Sequence, residues 1–186
     1  VAWAERRGFT CVSRIRGLRL PLAGVTPPTV VPPEGVTITT LADRPDLAHG
    51  VWEVAAEAMP DIPIDSDVPM HPGSFEDYQA LTLEGARYMP DATFVALYDG
   101  EAIGFAQLAW DDRAHGIAAH DMLAGRRAFR GRGVAGALKA AQIAWAIETG
   151  LTELRTGNEE RNTAARAVNA RYPYEPIPDA LVLRGP

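Results

Sequence analysis

The sequence lacks the features that mark membrane, secreted and zinc-binding proteins. Among 186 residues there is one cysteine, Cys11, which excludes an internal disulfide and leaves no cysteine partner for a zinc site. No run approaches the roughly 20 apolar residues that a membrane helix needs. Charge appears at Glu5, too early for the apolar region of a secretory signal. We therefore expect a cytoplasmic protein with no membrane partner.

Positive charge is scarce overall but concentrated at one place. The net charge is −6, yet four arginines (Arg126, Arg127, Arg130 and Arg132) fall within seven positions beside a glycine-rich turn. One compact basic spot on an acidic chain suits a small anionic ligand, whereas nucleic-acid binding normally needs a whole basic face. Lysine occurs once, as Lys139, and we attach no function to it at this stage.

A proline-rich segment divides the chain. Residues 26–35 read Thr-Pro-Pro-Thr-Val-Val-Pro-Pro-Glu-Gly, which predicts a stiff linker. It separates an appendage at 1–25 from a main domain at 36–186. A chain that begins near Pro33 should then stay folded, unless the segment 12–20 adds a strand to a sheet edge or to a second copy of the chain.

The pattern of the main domain predicts an α/β (α+β) fold. Asp99-Gly100 between two apolar runs predicts a type I′ hairpin. Asp43 and Ser74 are expected to cap helices, and the proline-rich residues 59–73 are expected to form an irregular loop that covers a substrate. The predicted strands are 36–40, 93–98, 102–110, 115–124, 151–156 and 180–183, with helices at 47–58, 74–83, 135–148 and 162–170.

The glycine-rich turn has three possible ligand-binding interpretations. Gly131-x-Gly133-x-x-Gly136 matches the dinucleotide fingerprint, but residues 125–130 make a poor strand to precede it. A Walker loop is excluded because no Gly-Lys-Ser/Thr follows. What remains is a loop whose backbone N–H groups and following helix bind an anion, or glycines that only permit a turn and close packing.

The segment Arg130-Gly-Arg-Gly-Val-Ala135 resembles motif A of the GNAT acetyltransferases, and 154–174 resembles their motif B. The resemblance covers 36–186. It implies the GNAT acyl-CoA N-acyltransferase fold, a mixed, mostly antiparallel twisted sheet flanked by helices, and acetyl-CoA as acetyl donor. Residues 3–22 resemble the closing elements of another GNAT unit, which would make 1–25 the remnant of a preceding unit in a tandem protein. A homodimer is possible.

The same resemblance implies which residues bind the donor. The end of the strand before motif A would bind pantetheine through its backbone, the loop would bind the pyrophosphate, and Asn162 would lie near the CoA arm. The implied donor-binding residues are Leu123, Ala124, Gly125, Arg130, Gly131, Arg132, Gly133, Val134, Ala135 and Asn162. Chemistry would be direct attack by a neutral primary amine of a small molecule or peptide, without a metal.

The sequence defines the catalytic residues less closely than the donor-binding ones. Many family members have a tyrosine acid where this chain has Asn169, and an amide cannot supply a proton. Tyr172 and Tyr174 are expected to be packing residues. The candidates for the general base are His120 and Asp121, on the strand that enters motif A, and the acids beside the loop. His120 is preferred because a histidine titrates near neutrality, and a purely structural histidine is the alternative. The acids beside the loop are Glu57, Asp61, Asp65 and Asp67. They could bind a cationic amine, for which Glu57 and Asp61 are the named candidates, or only keep the loop solvated. The alternative function is an acyl-CoA-binding protein without turnover.

Overall fold

The structure, a computed structural model, describes residues 2–64 and 69–185. Its strands form one seven-stranded sheet in the order β2-β3-β4-β5-β6-β1-β7. Neighbours are antiparallel except β5 and β6, which are parallel. The strands are β1 Thr10–Pro21, β2 Val36–Thr40, β3 Tyr88–Tyr98, β4 Glu101–Asp112, β5 Ile117–Gly125, β6 Glu153–Glu159 and β7 Glu175–Arg184. The α/β prediction with a mostly antiparallel mixed sheet is confirmed.

Helices flank the sheet on both faces. They are α1 Ala2–Glu5, α2 Ala48–Ala58, α3 Phe75–Tyr78, α4 Val134–Glu148 and α5 Thr163–Asn169, and a π-helical turn, Gln79–Leu83, follows α3. On β3, Val95 packs in the cluster around α2, whereas Phe94 and Ala96 pack in the cluster around α4. Because alternate residues of a strand point to opposite faces, both faces of this strand are covered. None of the described helices is long and apolar enough to cross a membrane.

The hairpin between β3 and β4 forms where the sequence predicts it. Asp99 and Gly100 have φ values of 51° and 82°, and positive φ at both central residues defines the type I′ turn that matches the twist of the strands. This hairpin places β4 beside β5, the strand that enters the glycine-rich loop.

The two predicted helix caps have different outcomes. Ser74 accepts a hydrogen bond from the backbone N–H of Asp77 at 3.1 Å, so the predicted cap is confirmed. Asp43 is not a cap, because its carboxylate accepts from the Thr40 hydroxyl at 2.8 Å and α2 begins only after a 3₁₀ turn at Pro45–Leu47. In the 59–73 loop, residues Met59–Asp61 form another 3₁₀ turn, and Asp65 and Asp67 lie outside the described residues.

Strand β1 lies inside the sheet, not on an edge or apart from it. It pairs with β6 from Ile15↔Glu159 to Pro21↔Glu153 and with β7 on its other side. Leu20 at its end is fully buried. The structure thus differs from the expectation of an appendage at 1–25, because the strand supplies both hydrogen bonds and core. That these residues derive from a preceding unit stays a prediction.

Strands β5 and β6 diverge soon after they pair. Their parallel register covers only Ile117↔Glu153 to Ala119↔Arg155. On its other side β5 continues to pair with β4, with a register shift that leaves Asp121 as an extra residue between His120 and Met122. Such a bulge bends a strand and increases its twist. The sheet consequently opens between residues 120–125 and 156–159.

Candidate functional site

A cavity of about 500 Å³ occupies this opening in the sheet. Its walls are the diverging ends of β5 and β6, and α4 and α5 supply further residues. Its lining residues are Ser13, Ile15, Ile62, Pro63, Ile64, His120, Asp121, Met122, Leu123, Lys139, Thr156, Gly157, Asn158, Glu159, Asn162, Ala165, Asn169 and Val182. Ligand sites are typically clefts of this size with a few polar groups among apolar ones.

The glycine-rich loop sits at the start of α4, beside the opening. Gly131 and Gly133 have φ values of 74° and 91°, and Gly133 is the residue that caps α4. Val134 is buried among residues of β3 and β4, which fixes the helix start, while Ala135 is exposed. The first turn of a helix leaves backbone N–H groups without intrahelical partners, and the helix dipole adds positive potential there. The loop can therefore bind an anion.

Three residues of the predicted donor site, Leu123 to Gly125, form the end of β5 beside the cavity. Leu123 lines the cavity, whereas Ala124 and Gly125 pair with Phe105 and Gly104 of β4. The register of β5 with β6 ends at Ala119. A strand has polar backbone groups along both edges, so the edge of β5 that faces away from β4 is available to an extended ligand beyond that point.

The arginines of the loop are held by acids from α2 and from the turn that follows it. Asp61 accepts from Arg127 at 2.8 and 2.9 Å and pairs with Arg130 at 2.8 Å. These guanidinium groups lower the pKa of Asp61 to about 2, with Arg127 the larger cause. Glu57 accepts from the backbone N–H of Arg127 at 2.6 Å. Arg132, by contrast, forms no ion pair within the described residues and lies over the Phe129 ring.

This arrangement corrects the predicted substrate-binding acids. Glu57 and Asp61 bind the arginine loop and are absent from the residues that line the cavity, whereas Ile62, Pro63 and Ile64 line it. Glu57 and Asp61 are far from the arginine loop in the sequence. The sequence therefore shows that both charged groups exist but does not predict that they pair. The wall of the cavity next to Asp61 is therefore apolar.

His120 is hydrogen-bonded at both ring nitrogens. Its Nδ1 donates to Gln142 Oε1 at 2.9 Å, and the Tyr174 hydroxyl donates to Nε2 at 2.7 Å. Burial, and after it the nearby Lys139 charge, lower the pKa of His120 well below its ordinary value, and the hydrogen bond to Gln142 opposes them without reversing the shift. Neither nitrogen is open to a substrate proton. The structure thus favours a positioning role over the predicted general base.

Asparagines line the side of the cavity formed by β6 and α5. Asn162 caps α5 through its Oδ1, which accepts from the Ala165 N–H at 3.1 Å. Asn169 is 4% exposed and donates to Asn158 Oδ1. The position at which the resemblance implies a tyrosine acid thus holds an amide that is bound to another amide.

Lys139 is the residue of this cavity that the sequence analysis overlooked. It lines the cavity and is 2% exposed. Burial lowers its pKa to about 7. The sequence carries a usable signal. Lys139 and Gln142 are three residues apart on a helix whose other residues, except Glu148 at its end, are apolar or glycine, so they share a face with buried residues such as Ile143.

The chain resembles known proteins over most of its length. A sequence model of the acetyltransferase (GNAT) family matches residues 52–171. A GCN5-related N-acetyltransferase from Sphaerobacter thermophilus superimposes with a TM-score of 0.76 at 21% identity, covering 98% of this chain and 54% of that one. A tandem GNAT protein from the clavulanic acid biosynthesis pathway gives 0.69 at 20% identity, covering 98% and 56%.

This chain spans only about half the length of these solved structures. At such identities the superpositions show the fold. No curated protein sequence gives a match. Within residues 2–64 and 69–185, no group of three or more histidine, cysteine, aspartate or glutamate side chains is arranged to hold a metal ion.

Proposed function

This chain belongs to the acetyltransferase (GNAT) family, and from that premise we propose that it transfers an acetyl group from acetyl-CoA to a primary amine of a small molecule or peptide. The observation that supports the proposal is the opening between β5 and β6, which holds a cavity and lies along the strand that leads into the glycine-rich loop at the start of α4. A long donor with phosphates at one end and a thioester at the other fits such a path.

The donor would bind along this path in three parts. Its pyrophosphate would accept hydrogen bonds from the backbone of Gly131 to Ala135, supplemented by Arg132. Its pantetheine would run beside Leu123 to Gly125, on the strand edge that β6 has left. Asn162, at the start of α5, would lie on the other side of the arm. The thioester would then reach the cavity.

The enzyme's contribution would be alignment and charge stabilisation. A neutral amine nitrogen attacks the thioester carbon, and negative charge develops on the carbonyl oxygen. A backbone N–H of the bulged strand near Leu123 is the proposed donor to that oxygen. The apolar wall from Ile62 to Ile64 favours an acceptor amine with an apolar body, in place of the cationic partner first inferred from Glu57 and Asp61.

A second candidate is an acyl-CoA-binding protein without turnover. The specific observation in its favour is Asn169, which is buried and bonded to Asn158 where a tyrosine acid would otherwise stand. Both candidates need the same donor site and differ only in chemistry. A homodimer and a cytoplasmic location stay predictions.

Acetyl-CoA turnover separates the two candidates. We expect free CoA thiol to appear when the protein is mixed with acetyl-CoA and a panel of apolar primary amines. Acetyl-CoA should also raise the melting temperature, because a ligand that binds only the folded state stabilises it by about 2.7 kcal/mol at a hundredfold excess over Kd. NADH is the control ligand. Equal shifts from both ligands would contradict the donor site, and a shift without thiol release would support the second candidate.

Asp61 should weaken donor binding, because it competes with the pyrophosphate for Arg130. Asp61→Asn keeps the shape of the side chain but removes its charge, which frees Arg130 to bind phosphate. We expect acetyl-CoA affinity to increase by about two- to fivefold, the range that exposed ion pairs support. Isothermal titration at low ionic strength measures this effect.

The control for Asp61→Asn is Asp46→Asn. Asp46 forms a similar two-point pair with Arg44, at 2.8 and 2.6 Å, and does not contact the loop. Both variants make the net charge one unit less negative, so a general electrostatic gain would appear in both. Equal gains would show that Asp61 acts only through net charge.

A further inference from the structure

Lys139 places its amine inside the proposed acetyl-transfer cavity. It projects from the middle of α4, is 2% exposed, and lines the same cavity as Asn158 and Asn169. Within the described part of the chain its Nζ makes no ion pair or hydrogen bond, and it lies 5.2 Å from the centroid of the Tyr174 ring. A buried charge without a partner is costly, so a structural role does not account for it.

The surroundings of Lys139 make its amine a proton carrier near neutral pH. Burial is the cause that lowers its pKa to about 7, so neutral and protonated amine coexist there. Around it, His120 and Asp121 come from β5, Glu159 from β6, and the Tyr174 ring from the segment before β7. On the α5 side, the Arg171 guanidinium approaches α4 at Gly136, one turn before Lys139.

The other titratable groups of the cavity are engaged elsewhere. His120 is bonded at both nitrogens. Glu159 accepts from Arg161 at 2.9 Å and from Ser13 at 2.8 Å, and Arg161 is the main cause that lowers its pKa to about 2. Among the described residues, Asp121, the bulge residue of β5, is the competing acid that lines the cavity without such bonds, and it enters the test below.

We propose that Lys139 carries the proton of the acetyl transfer, from the attacking nitrogen of the acceptor to the sulfur of CoA. This rests on the proposed function. It assigns the proton to a residue of the same cavity as the buried Asn169–Asn158 pair, so that a group on α4 replaces the acid that α5 lacks.

The proposed steps balance without any further reactant. The amine nitrogen forms a bond to the thioester carbon, and the carbonyl π electrons move to oxygen. Neutral Lys139 accepts a proton from the now positively charged nitrogen. The oxygen electrons return, the carbon–sulfur bond breaks, and its electron pair leaves with sulfur. Protonated Lys139 donates its proton to that sulfur, which yields the amide, free CoA thiol and neutral Lys139 again.

Three variants test the proposal. Lys139→Met keeps the length without a proton, and Lys139→Arg keeps a charge that does not titrate near neutrality. We expect both to lose about 100-fold or more in kcat, as removal of a general acid–base group does, with the Kd of acetyl-CoA within about threefold of wild type. Gln107→Met is the control, a buried polar residue of β4, the strand beside β5, that is absent from the cavity lining, and should keep kcat within about threefold.

The dependence of kcat on pH gives a second readout, through its rising part at acid pH, called the acid limb. Neutral Lys139 is needed for the first proton step, so wild-type kcat should rise with pH through about 7, and that limb should be absent in Lys139→Met. Lysine labelled with ¹³C at Cε gives one resonance, since the chain has a single lysine, and it should titrate at the same pH. Asp121→Asn should keep the limb in place.

Thermal unfolding shows whether Lys139→Met still folds, and the expected difference in stability from wild type has a definite sign. The folded pKa lies below the unfolded value of about 10.5, so the unfolded chain binds more protons between pH 7 and 10.5 and wild-type stability rises across that interval. Lys139→Met should therefore melt higher than wild type at pH 7, with a difference that disappears near pH 10.

The outcomes separate the two proposals. Wild-type turnover with an active Lys139→Met, or an active Lys139→Arg, overturns the role of Lys139 and leaves acetyl transfer standing. Loss of acetyl-CoA affinity in Lys139→Met also overturns the proton-carrying role and shows that Lys139 binds the donor. If Asp121→Asn loses the acid limb of kcat against pH, the proton-carrying role belongs to Asp121. Absence of turnover in wild type overturns both proposals.

Discussion

Replacing Gly133 by valine should reduce acetyl-CoA affinity by about a hundredfold or more. Gly133 caps α4 with φ at 91°, a conformation that a β-branched residue rarely adopts. Valine would therefore shift the loop and move the backbone N–H groups that we propose bind the pyrophosphate. Loss of one or two charge-assisted hydrogen bonds, at about 1.5–3 kcal/mol each, accounts for this magnitude. Isothermal titration with acetyl-CoA measures it.

Gly150→Val separates the binding effect from backbone strain. Gly150 follows the other end of α4 with φ at 78°, and a Cβ there meets no atom within 4 Å. Both variants should lose stability of the same order, about 1–3 kcal/mol, but Gly150→Val should bind acetyl-CoA like wild type. Normal binding by Gly133→Val would show that the loop is only structural.

Removing residues 1–21 should abolish cooperative folding. These residues include β1, which lies between β6 and β7 and, among the described strands, is the single neighbour of β7. Deletion would remove both ladders, leave β7 without a partner and expose the core around Leu154 that Leu20 covers. Circular dichroism and urea unfolding should show a loss of the cooperative transition, and the chain should aggregate through its exposed strand edges.

A shorter deletion provides the control. Removing residues 1–8 takes away α1, whose Trp3 is exposed, and leaves β1 intact. This variant should unfold cooperatively. A folded chain that lacks 1–21 and still binds acetyl-CoA would restore the interpretation of these residues as an appendage, the outcome that the sequence alone favoured.

Elements defined by local chemistry could be predicted. Asp99-Gly100 specifies its turn because few residues tolerate two positive φ values in succession. Ser74 caps its helix through an atom three residues away. The start of α4 follows from glycines whose conformation is local. In each case the determinants lie within a few positions of the feature, so a single sequence suffices to place it.

Features that depend on distant partners were missed. The pairing of β1 joins Ile15 to Glu159, and no local pattern distinguishes an edge strand from an inserted one. Asp61 was assigned to a substrate because its arginine partners lie more than sixty residues away. Lys139 was disregarded because its burial arises from strands that precede α4 and from the ring of Tyr174, which follows it.

The place of β1 in the sheet also has a kinetic consequence. Its partners β6 and β7 occupy 153–184, so the first of the described strands pairs with the last two of them. Closing so long a loop is slow, and folding rates fall as the sequence separation of contacts grows. On the ribosome, β1 would leave the exit tunnel long before either partner is synthesised. The hairpin of β3 and β4 can form meanwhile, but the sheet closes only after β7 has emerged from the tunnel. Until then β1 is a segment that chaperones can bind.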